Sequence, residues 1–213
     1  KIGITLFSTP FDETAVNLLE SLETPAYKIA SFELVDLPLI KYVAKRGKPM
    51  LISTGMASLQ EIGNAIKTAR SNGCKDIAIF HCISSYPTPL KQANLKLIEL
   101  LQNEFKVQVG LSDHTIGNLA GIVATGVGVT LIEKHLTLSR SDGGVDSEFS
   151  MEPAEMKKFV SECKSAFNSL GSPIFKRSNL ETENKIFRRS LYFVENLTVG
   201  TIITSKHVKR IRP

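Results

Sequence analysis

Polar side chains stand at the ends of several apolar runs in this sequence, and their types could serve a metal ion and an anion. Two histidines, His114 in GLSDHT and His135 in EKHLTL, each follow a short apolar stretch. Imidazole nitrogens are common ligands of divalent metals, and two of them with nearby carboxylates leave positions open for water or substrate. A shared metal site is therefore one interpretation of this pair, beside a purely structural role.

Lys28 lies between apolar residues in AYKIAS, which is an unusual position for a charge. An unpaired ammonium group is costly to bury, so we expect Lys28 to meet an anion. Hydroxyl side chains end the neighbouring runs, and beside one lysine they would suit a phosphate or a carboxylate. Taken singly, each hydroxyl could equally satisfy loop backbone. The residues are Thr9, Ser31, Ser53, Ser84 and Ser112.

Short β-branched or apolar runs alternate with longer amphipathic stretches that read as helices. This alternation predicts a parallel sheet, and the apolar character of the runs predicts that it is covered on both sides. The predicted strands lie within residues 3–11, 26–33, 48–56, 76–87, 106–115 and 129–138.

Both an open doubly wound sheet and a (β/α)8 TIM barrel fit this alternation. The barrel is favoured because nearly every run ends in polar residues, whereas an open sheet concentrates its site at one switch point. A barrel needs eight strands, so we expect the first two strand and helix units to be absent from this chain. Alternation along a strand places Ser112 and His114 on one face, and likewise Glu133 and His135, so the two imidazoles converge if those faces point inward. Asp113 then lies on the opposite face and orients the loop.

The pattern also divides the chain into parts. Residues 1–171 read as the partial barrel, ending in a helix within residues 152–171. Residues 172–186 read as a linker, and residues 187–213 as the start of a small β-rich domain. About 27 residues are too few to bury a core of their own.

Composition excludes several functional classes. No stretch of the 213 residues approaches the 18 or more apolar residues of a membrane span, and no signal peptide opens the chain. The three cysteines match no zinc or disulfide framework and read as buried thiols of a reducing compartment, which predicts a cytoplasmic protein. The net charge of +5 is dispersed, and its densest cluster, KHVKRIRP, lacks the pattern of a nucleic-acid-binding motif. His81 and His207 read as structural histidines.

Six ordered motifs resemble the sialic acid synthase family, which joins phosphoenolpyruvate to an amino sugar on a (β/α)8 barrel. They are FSTPFD, YKIASFE, LISTGM, HCISSYPTP, GLSDHTIG and EKHLTL. The resemblance is dense from residue 2 to about residue 160. The segments RRSLYFV, GTIIT and IRP resemble the start of the antifreeze-like (SAF) domain of the same proteins. The loop SRSDGGVDSEFSMEP is most similar to the pseudaminic acid synthase branch.

The resemblance implies roles for individual residues. His114 and His135 would bind a divalent ion, usually manganese in this family, with magnesium or cobalt as alternatives. Glu33 would join these two histidines as a catalytic group. The residues expected to hold phosphoenolpyruvate are Thr9, Lys28, Ser31, Ser53, Ser84 and Ser112. Ser84 replaces the asparagine of sialic acid synthases, which weakens its assignment but agrees with the pseudaminic branch.

The sugar would face Glu33, Tyr86 and Asp146, and Arg212 would reach a neighbouring subunit's site in a domain-swapped homodimer. The implied reaction condenses phosphoenolpyruvate with open-chain 2,4-diacetamido-2,4,6-trideoxy-altrose and releases phosphate to give pseudaminic acid. The alternatives are an N-acetylneuraminate or legionaminate synthase, a barrel aldolase or related sugar-phosphate synthase, and a carbohydrate-binding barrel without catalysis. An acidic residue and a lysine that the family carries on its first two strands are expected to be missing here, so we expect the chain alone to be inactive.

Overall fold

A computed structural model describes residues 3–213 of the chain. These residues divide into two compact units, of which the first ends at Gly171 and the second comprises Ser172–Pro213. The first unit is an α/β structure built around one parallel sheet, and the second contains a short helix and a hairpin. No helix within residues 3–213 combines the length and the apolar character needed to cross a membrane.

The sheet has five parallel strands, each hydrogen-bonded to the next strand along the chain. Parallel neighbours need a crossover connection, and one α-helix supplies each of them. The strands are β1 (Tyr27–Ile29), β2 (Met50–Ser53), β3 (Ile77–Cys82), β4 (Gln108–Asp113) and β5 (Ile132–Lys134). The parallel α/β architecture predicted from the alternating pattern is therefore confirmed.

The first predicted strand, within residues 3–11, does not form. Only Ser8 makes a bridge, parallel to Tyr27, and its carbonyl oxygen accepts a hydrogen bond from the Lys28 amide at 3.2 Å. The apolar residues before it gain no burial, because Ile4 is 80% and Leu6 84% exposed. A strand without a buried face has little to stabilise it beyond the ladder itself. The prediction of six strands is therefore wrong by one.

Several helices begin at a capping side chain. Asp12 accepts a hydrogen bond from the Ala15 amide at 2.8 Å, and Ser58 forms a capping box with Glu61. The helices of the first unit are α1 (Glu13–Ser21), α2 (Leu37–Ala44), α3 (Leu59–Ser71), α4 (Leu97–Phe105), α5 (Leu119–Val127) and α6 (Pro153–Leu170).

The core lies between these helices and one face of the sheet. Ile29, Ile52, Ile79 and Val109 are fully buried there against apolar side chains of the helices. Fully burying such a side chain stabilises the fold by about 1.5–3 kcal/mol. Because successive strand residues point to opposite faces, the residues between these core positions face away from the helices.

The second unit was predicted to begin with a linker over residues 172–186, but part of that segment is helical. Helix α7 (Asn179–Glu183) starts at Ser178, whose hydroxyl oxygen accepts a hydrogen bond from the Glu181 amide at 3.2 Å. Two antiparallel strands follow, β6 (Ser190–Phe193) and β7 (Val208–Ile211). No residue of Ser172–Pro213 is buried.

Candidate functional site

Four side chains from four strands form a continuous hydrogen-bonded and charged row on the face of the sheet opposite the helices. Lys28 on β1 donates from Nζ to Ser53 Oγ on β2 at 2.7 Å, and Nζ lies 3.6 Å from Glu133 Oε2 on β5. Ser112 on β4 donates from Oγ to Glu133 Oε1 at 2.6 Å. We call this surface the polar face. The anion expected beside Lys28 is, within the chain itself, the carboxylate of Glu133.

The two histidines converge at the ends of β4 and β5, as the alternation predicted. Their ring centroids are 5.3 Å apart and the rings are inclined at 69°. His114 is buried, and its Nδ1 lies 2.9 Å from the carbonyl oxygen of Ile83. Because a carbonyl only accepts, Nδ1 carries the proton and Nε2 keeps its lone pair. A backbone partner of this kind fixes the ring orientation of a metal-binding histidine.

The surroundings shift the pKa values of the two imidazoles in opposite directions. Burial opposes the charged form of His114, but hydrogen bonds with Cys82 and the Ile83 carbonyl and the nearby negative charges outweigh it and raise its pKa. Burial and the adjacent His114 lower the pKa of His135. The thiol of Cys82 is buried as well, yet its hydrogen bonds with His114 and Ser31 lower its pKa. His135 therefore favours the neutral form, which is the form that binds a metal.

On the polar face, the spacing of the His114 and His135 rings fits a divalent ion bound by both imidazoles. Each metal-bound imidazole nitrogen lies about 2.0–2.1 Å from its ion, which puts two such ring centroids roughly 4.5–5.5 Å apart; the observed separation is 5.3 Å. No cluster of three or more histidine, cysteine or acidic side chains arranged for a metal occurs within residues 3–213.

Aromatic rings border the two imidazoles. The Tyr86 ring centroid lies 4.2 Å from that of His114, and the Phe149 centroid lies 5.0 Å from that of His135. Phe149 belongs to the loop that follows β5, and this loop returns because the Met151 amide donates to the His135 carbonyl at 2.9 Å. The same return brings Asp146 Oδ2 to 3.7 Å from His135 Nδ1. Two of the predicted sugar-facing residues, Tyr86 and Asp146, therefore adjoin the histidines.

Near this site, two buried polar side-chain atoms have no hydrogen-bond partner within residues 3–213. Ser31 Oγ accepts a hydrogen bond from the Gly55 amide at 3.1 Å, but the nearby Ser84 Oγ has no partner. Glu33, predicted at a strand end, instead lies in a 3₁₀ turn after β1, and its buried Oε2 also has none. A Cβ on Gly55 would come within 2.2 Å of Ser84 Oγ. Buried polar atoms without partners are exceptional in native proteins and often mark the place of a ligand or water.

Thr9 and Arg212 were also predicted to serve the site. Thr9 is half-buried next to the Ser8 bridge, at the edge of the sheet beyond β1. Arg212 lies in the second unit, where its guanidinium carbon is 5.7 Å from the ring centroid of Phe187.

The histidines expected to be structural do make hydrogen bonds. His81 is buried on the helix side of β3, with Nε2 2.7 Å from the Ala93 carbonyl oxygen, and burial lowers its pKa. His207 Nδ1 accepts from the Thr204 amide at 3.1 Å within the second unit.

Three residues at the site received no role from the sequence. Glu133 was placed on the same face as His135 by alternation, and its pairing with Lys28 depends on the register of strands distant in sequence. Cys82 read as a small buried hydrophobe, whereas its thiol lies 3.9 Å from His114 Nδ1 and also contacts Ser31. Nothing local marks Phe149, because its position depends on the return of a long loop.

Comparisons with known proteins show which family the chain resembles. The model of the NeuB family matches residues 1–175. The chain is 40% identical to pseudaminic acid synthase of Helicobacter pylori, over 100% of this chain and 63% of that protein. It is 38% identical to N,N'-diacetyllegionaminic acid synthase of Campylobacter jejuni, over 100% of this chain and 65% of that protein. The chain thus spans less than two thirds of the length of these relatives.

The fold matches a solved structure of the same group. The crystal structure of N-acetylneuraminic acid synthetase from Leptospira borgpetersenii superposes with a TM-score of 0.81 at 33% identity, covering 85% of this chain and 63% of that one. The five-stranded parallel sheet corresponds to a curled half-barrel in this comparison. Because the family model matches residues 1–175 and the relatives match along the whole chain, the chain belongs to the NeuB family.

Proposed function

We propose that the protein condenses phosphoenolpyruvate with the open-chain form of an N-acetylated amino sugar and releases phosphate, giving a nonulosonic acid. The observation that carries this proposal is the polar face, where a buried lysine with hydroxyl neighbours and two convergent imidazoles occupy the same side of one sheet. An anion and an electrophile must meet in such a reaction, and this surface offers groups for both.

Phosphoenolpyruvate binds beside Lys28 in this proposal. Lys28 supplies the positive charge, and Ser53 and Ser112, which already contact Lys28 and Glu133, supply hydroxyl donors. Ser31 and Ser84 add hydroxyls that pack closely against Gly55, where a Cβ would lie 2.2 Å from Ser84 Oγ. Charge-assisted hydrogen bonds of this kind hold the anion in one orientation, and orienting the reacting carbons contributes several kcal/mol to catalysis. Thr9 completes the set at the edge of β1.

His114 and His135 hold the divalent ion, which we take to be manganese, with magnesium or cobalt as alternatives. When bound, the ion polarises the aldehyde oxygen of the open-chain sugar. The Ile83 carbonyl keeps His114 in the tautomer whose Nε2 is free to bind. Because the pKa of His114 is raised, ion binding must displace a proton, and affinity for the ion rises with pH.

The reaction joins C3 of phosphoenolpyruvate to the aldehyde carbon of the sugar, and the bond between C2 and the phosphate oxygen later breaks. A water molecule adds to C2 in between, so a base must take its proton. We assign this task to Glu133, whose carboxylate contacts Lys28 and Ser112, two of the groups assigned to phosphoenolpyruvate. Glu33, whose Oε2 has no protein partner, is a second carboxylate that reaches the substrates.

The sugar lies against Tyr86 and Asp146, which adjoin the histidines, and Arg212 contributes from the second unit of a domain-swapped partner. We favour the trideoxy diacetamido sugar that leads to pseudaminic acid. A legionaminate synthase is the second candidate, because the pseudaminic and legionaminic acid synthases named above are 40% and 38% identical to this chain. A barrel closed by further strands, an antifreeze-like second domain, a homodimer and a cytoplasmic location remain parts of the same proposal.

The test is a substrate panel with manganese. The precursors of pseudaminic, legionaminic and sialic acids are each incubated with phosphoenolpyruvate and the protein that carries this chain, and phosphate release and product mass are measured. We expect phosphate and an acid heavier than the sugar by one pyruvate unit, mainly from the pseudaminic precursor. Product from another precursor instead would correct the sugar assignment.

The control separates catalysis from binding alone. His207→Ala removes a histidine of the second unit and should leave turnover unchanged, whereas His114→Ala should abolish it. Sugar binding without phosphate release from any precursor would favour a carbohydrate-binding barrel and refute the proposed reaction.

A further inference from the structure

An ion pair lies directly behind the two histidines, on the face of the sheet that packs against the helices. Lys134 Nζ donates to Asp113 Oδ2 at 2.8 Å and also to the carbonyl oxygen of Thr115. Asp113 Oδ1 accepts from the Thr115 amide at 2.9 Å. The side chains of Lys134 and Asp113 are only 3% and 1% exposed, so the pair is almost free of solvent screening.

The register of β4 and β5 places this ion pair between the Ser112–Glu133 pair and the two histidines along the strands. Asp113 lies opposite Lys134, and Ser112 lies opposite Glu133 in the preceding pair. His114 and His135 are the next residues along the two strands. On the polar face Ser112 therefore binds Glu133, and on the opposite face Asp113 binds Lys134, so each strand is tied to the other immediately before its histidine.

The backbone pairing between β4 and β5 is short at this point. Strand β5 comprises only Ile132–Lys134, and its register with β4 covers three residue pairs. So short a pairing offers few ladder hydrogen bonds to fix the two strands against each other. Beyond the two strands, the His135 carbonyl accepts a hydrogen bond from the Met151 amide, whereas the His114 carbonyl accepts one from the Thr88 amide. The backbones at the two histidines are therefore bonded to different loops and not to each other.

A buried ion pair is a poor device for stability, because apolar side chains of similar volume usually serve as well or better. Its directional hydrogen bonds are better suited to fixing a register. We propose that Asp113 and Lys134 are positioning residues, whose ion pair sets the separation of the two imidazoles on the opposite face of the same strands. This inference rests on the proposed function, since the separation matters only if both imidazoles hold one ion.

The test replaces both partners together, so that no buried charge is left unpaired. Asp113→Leu with Lys134→Met keeps the volume and removes the ammonium contacts with Asp113 and with the Thr115 carbonyl. The protein that carries this chain is titrated with Mn²⁺ alone, and binding is followed by the loss of the free-ion electron paramagnetic resonance signal. Thermal unfolding is measured in parallel, and a crystal structure of the double variant reports the distance between the imidazole centroids.

We expect the double variant to melt within about 5 °C of the wild type but to bind Mn²⁺ about 10-fold to 100-fold more weakly, the range typical when outer-shell partners of a metal site are lost. Its centroid separation should differ from the 5.3 Å of the wild type. Lys134→Arg keeps donors for both acceptors and should recover most of the affinity. Lys48→Met, which breaks the ion pair at 2.9 Å between Lys48, just before β2, and Glu20 of α1, is the matched control and should leave Mn²⁺ affinity unchanged.

Wild-type affinity for Mn²⁺ in the double variant, or an unchanged centroid separation, would overturn the inference while leaving the proposed function standing. A large drop in melting temperature would also overturn it, because the pair would then hold the fold and not the spacing. If the wild-type protein itself fails to bind Mn²⁺, the metal assignment in the proposed function falls first, and the inference falls with it.

Discussion

The two faces of the parallel sheet contrast sharply although they belong to the same strands. Toward the helices, Ile29, Ile52 and Ile79 are fully buried and belong to the hydrophobic core. On the polar face, Lys28 and Glu133 are linked by charge and by serine hydroxyls. The first face stabilises the fold, because apolar burial is non-directional and depends mainly on area. The second face gains little from burial, so its groups are explained by what they can bind.

The comparison predicts that substitutions on the two faces separate stability from function. Substitution on the helix side should lower the free energy of unfolding and leave the binding of ligands intact once the protein is folded. Substitution on the polar face should weaken the binding of ligands and leave the free energy of unfolding nearly unchanged. Lys134 and Asp113 are the exception, since they lie on the helix side and are proposed to act on the polar face.

The largest effect is expected for His135→Ala. Loss of one of two protein ligands should reduce turnover by on the order of 10³-fold or more, because metal polarisation of the electrophile contributes several kcal/mol. Phosphate release at saturating Mn²⁺ measures this effect, with His207→Ala as the control. Full turnover by His135→Ala would refute the metal assignment.

Ile79→Ala should have the next largest effect, and on stability alone. Ile79 is fully buried in β3, and truncation of such a residue costs about 2–5 kcal/mol. Urea denaturation gives the loss, and Mn²⁺ titration under folding conditions should give the wild-type affinity. A weakened Mn²⁺ affinity with normal stability would reverse the proposed division between the faces.

Lys28→Met should weaken phosphoenolpyruvate binding by roughly 10-fold to 100-fold, since a hydrogen bond to a charged group is worth about 1.5–3 kcal/mol. Glu133 keeps its contact with Ser112 and is partly exposed, so the fold should tolerate the change. The Michaelis constants for the two substrates are compared, with the exposed Lys41→Met of α2 as the control. Equal effects on sugar and phosphoenolpyruvate would count against the assigned role of Lys28.

A smaller effect on stability is expected from pH. Its sign should be opposite for His81 on the helix side and His114 on the polar face. Burial lowers the pKa of His81, so the unfolded state takes up a proton first as pH falls below about 6.5. Stability contributed by neutral His81 is therefore lost as pH falls, by at most about 1.4 kcal/mol per pH unit. The pKa of His114 is raised, so its contribution is present below about 6.5 and is lost as pH rises through its folded-state value.

Denaturation curves at several pH values measure these slopes for the wild type, His81→Gln and His114→Gln without added metal. The first substitution should flatten the loss of stability toward acid pH, and the second should flatten the loss toward neutral pH. Identical slopes in all three proteins would show that these shifts do not contribute to stability.

Alternation along strands made much of the site predictable from sequence. It placed His114 with Ser112, His135 with Glu133, and Asp113 on the other face, because a side-chain period of two needs no knowledge of tertiary structure. The pairing of Lys28 with Glu133 was not predictable, since it joins β1 to β5 across intervening strands. Phe149 was missed for the same reason, as a loop return and not a local pattern brings it to His135.

The run within residues 3–11 shows the opposite failure. Its apolar pattern is typical of a strand, but a strand also needs a neighbour and a face to bury, and Ile4 and Leu6 remain exposed. Local propensity could not supply that information. The helix in residues 179–183 was missed because it is short and polar, and its Ser178 cap was the only signal.

The most direct measurement is anomalous diffraction from crystals of the protein grown with Mn²⁺. A manganese peak should appear between the rings of His114 and His135, at about 2.0–2.3 Å from one nitrogen of each, on the nitrogen of His114 that does not face the Ile83 carbonyl. A peak bound elsewhere, or no peak between these rings at saturating Mn²⁺, would contradict the assignment of the polar face as a metal-assisted condensation site.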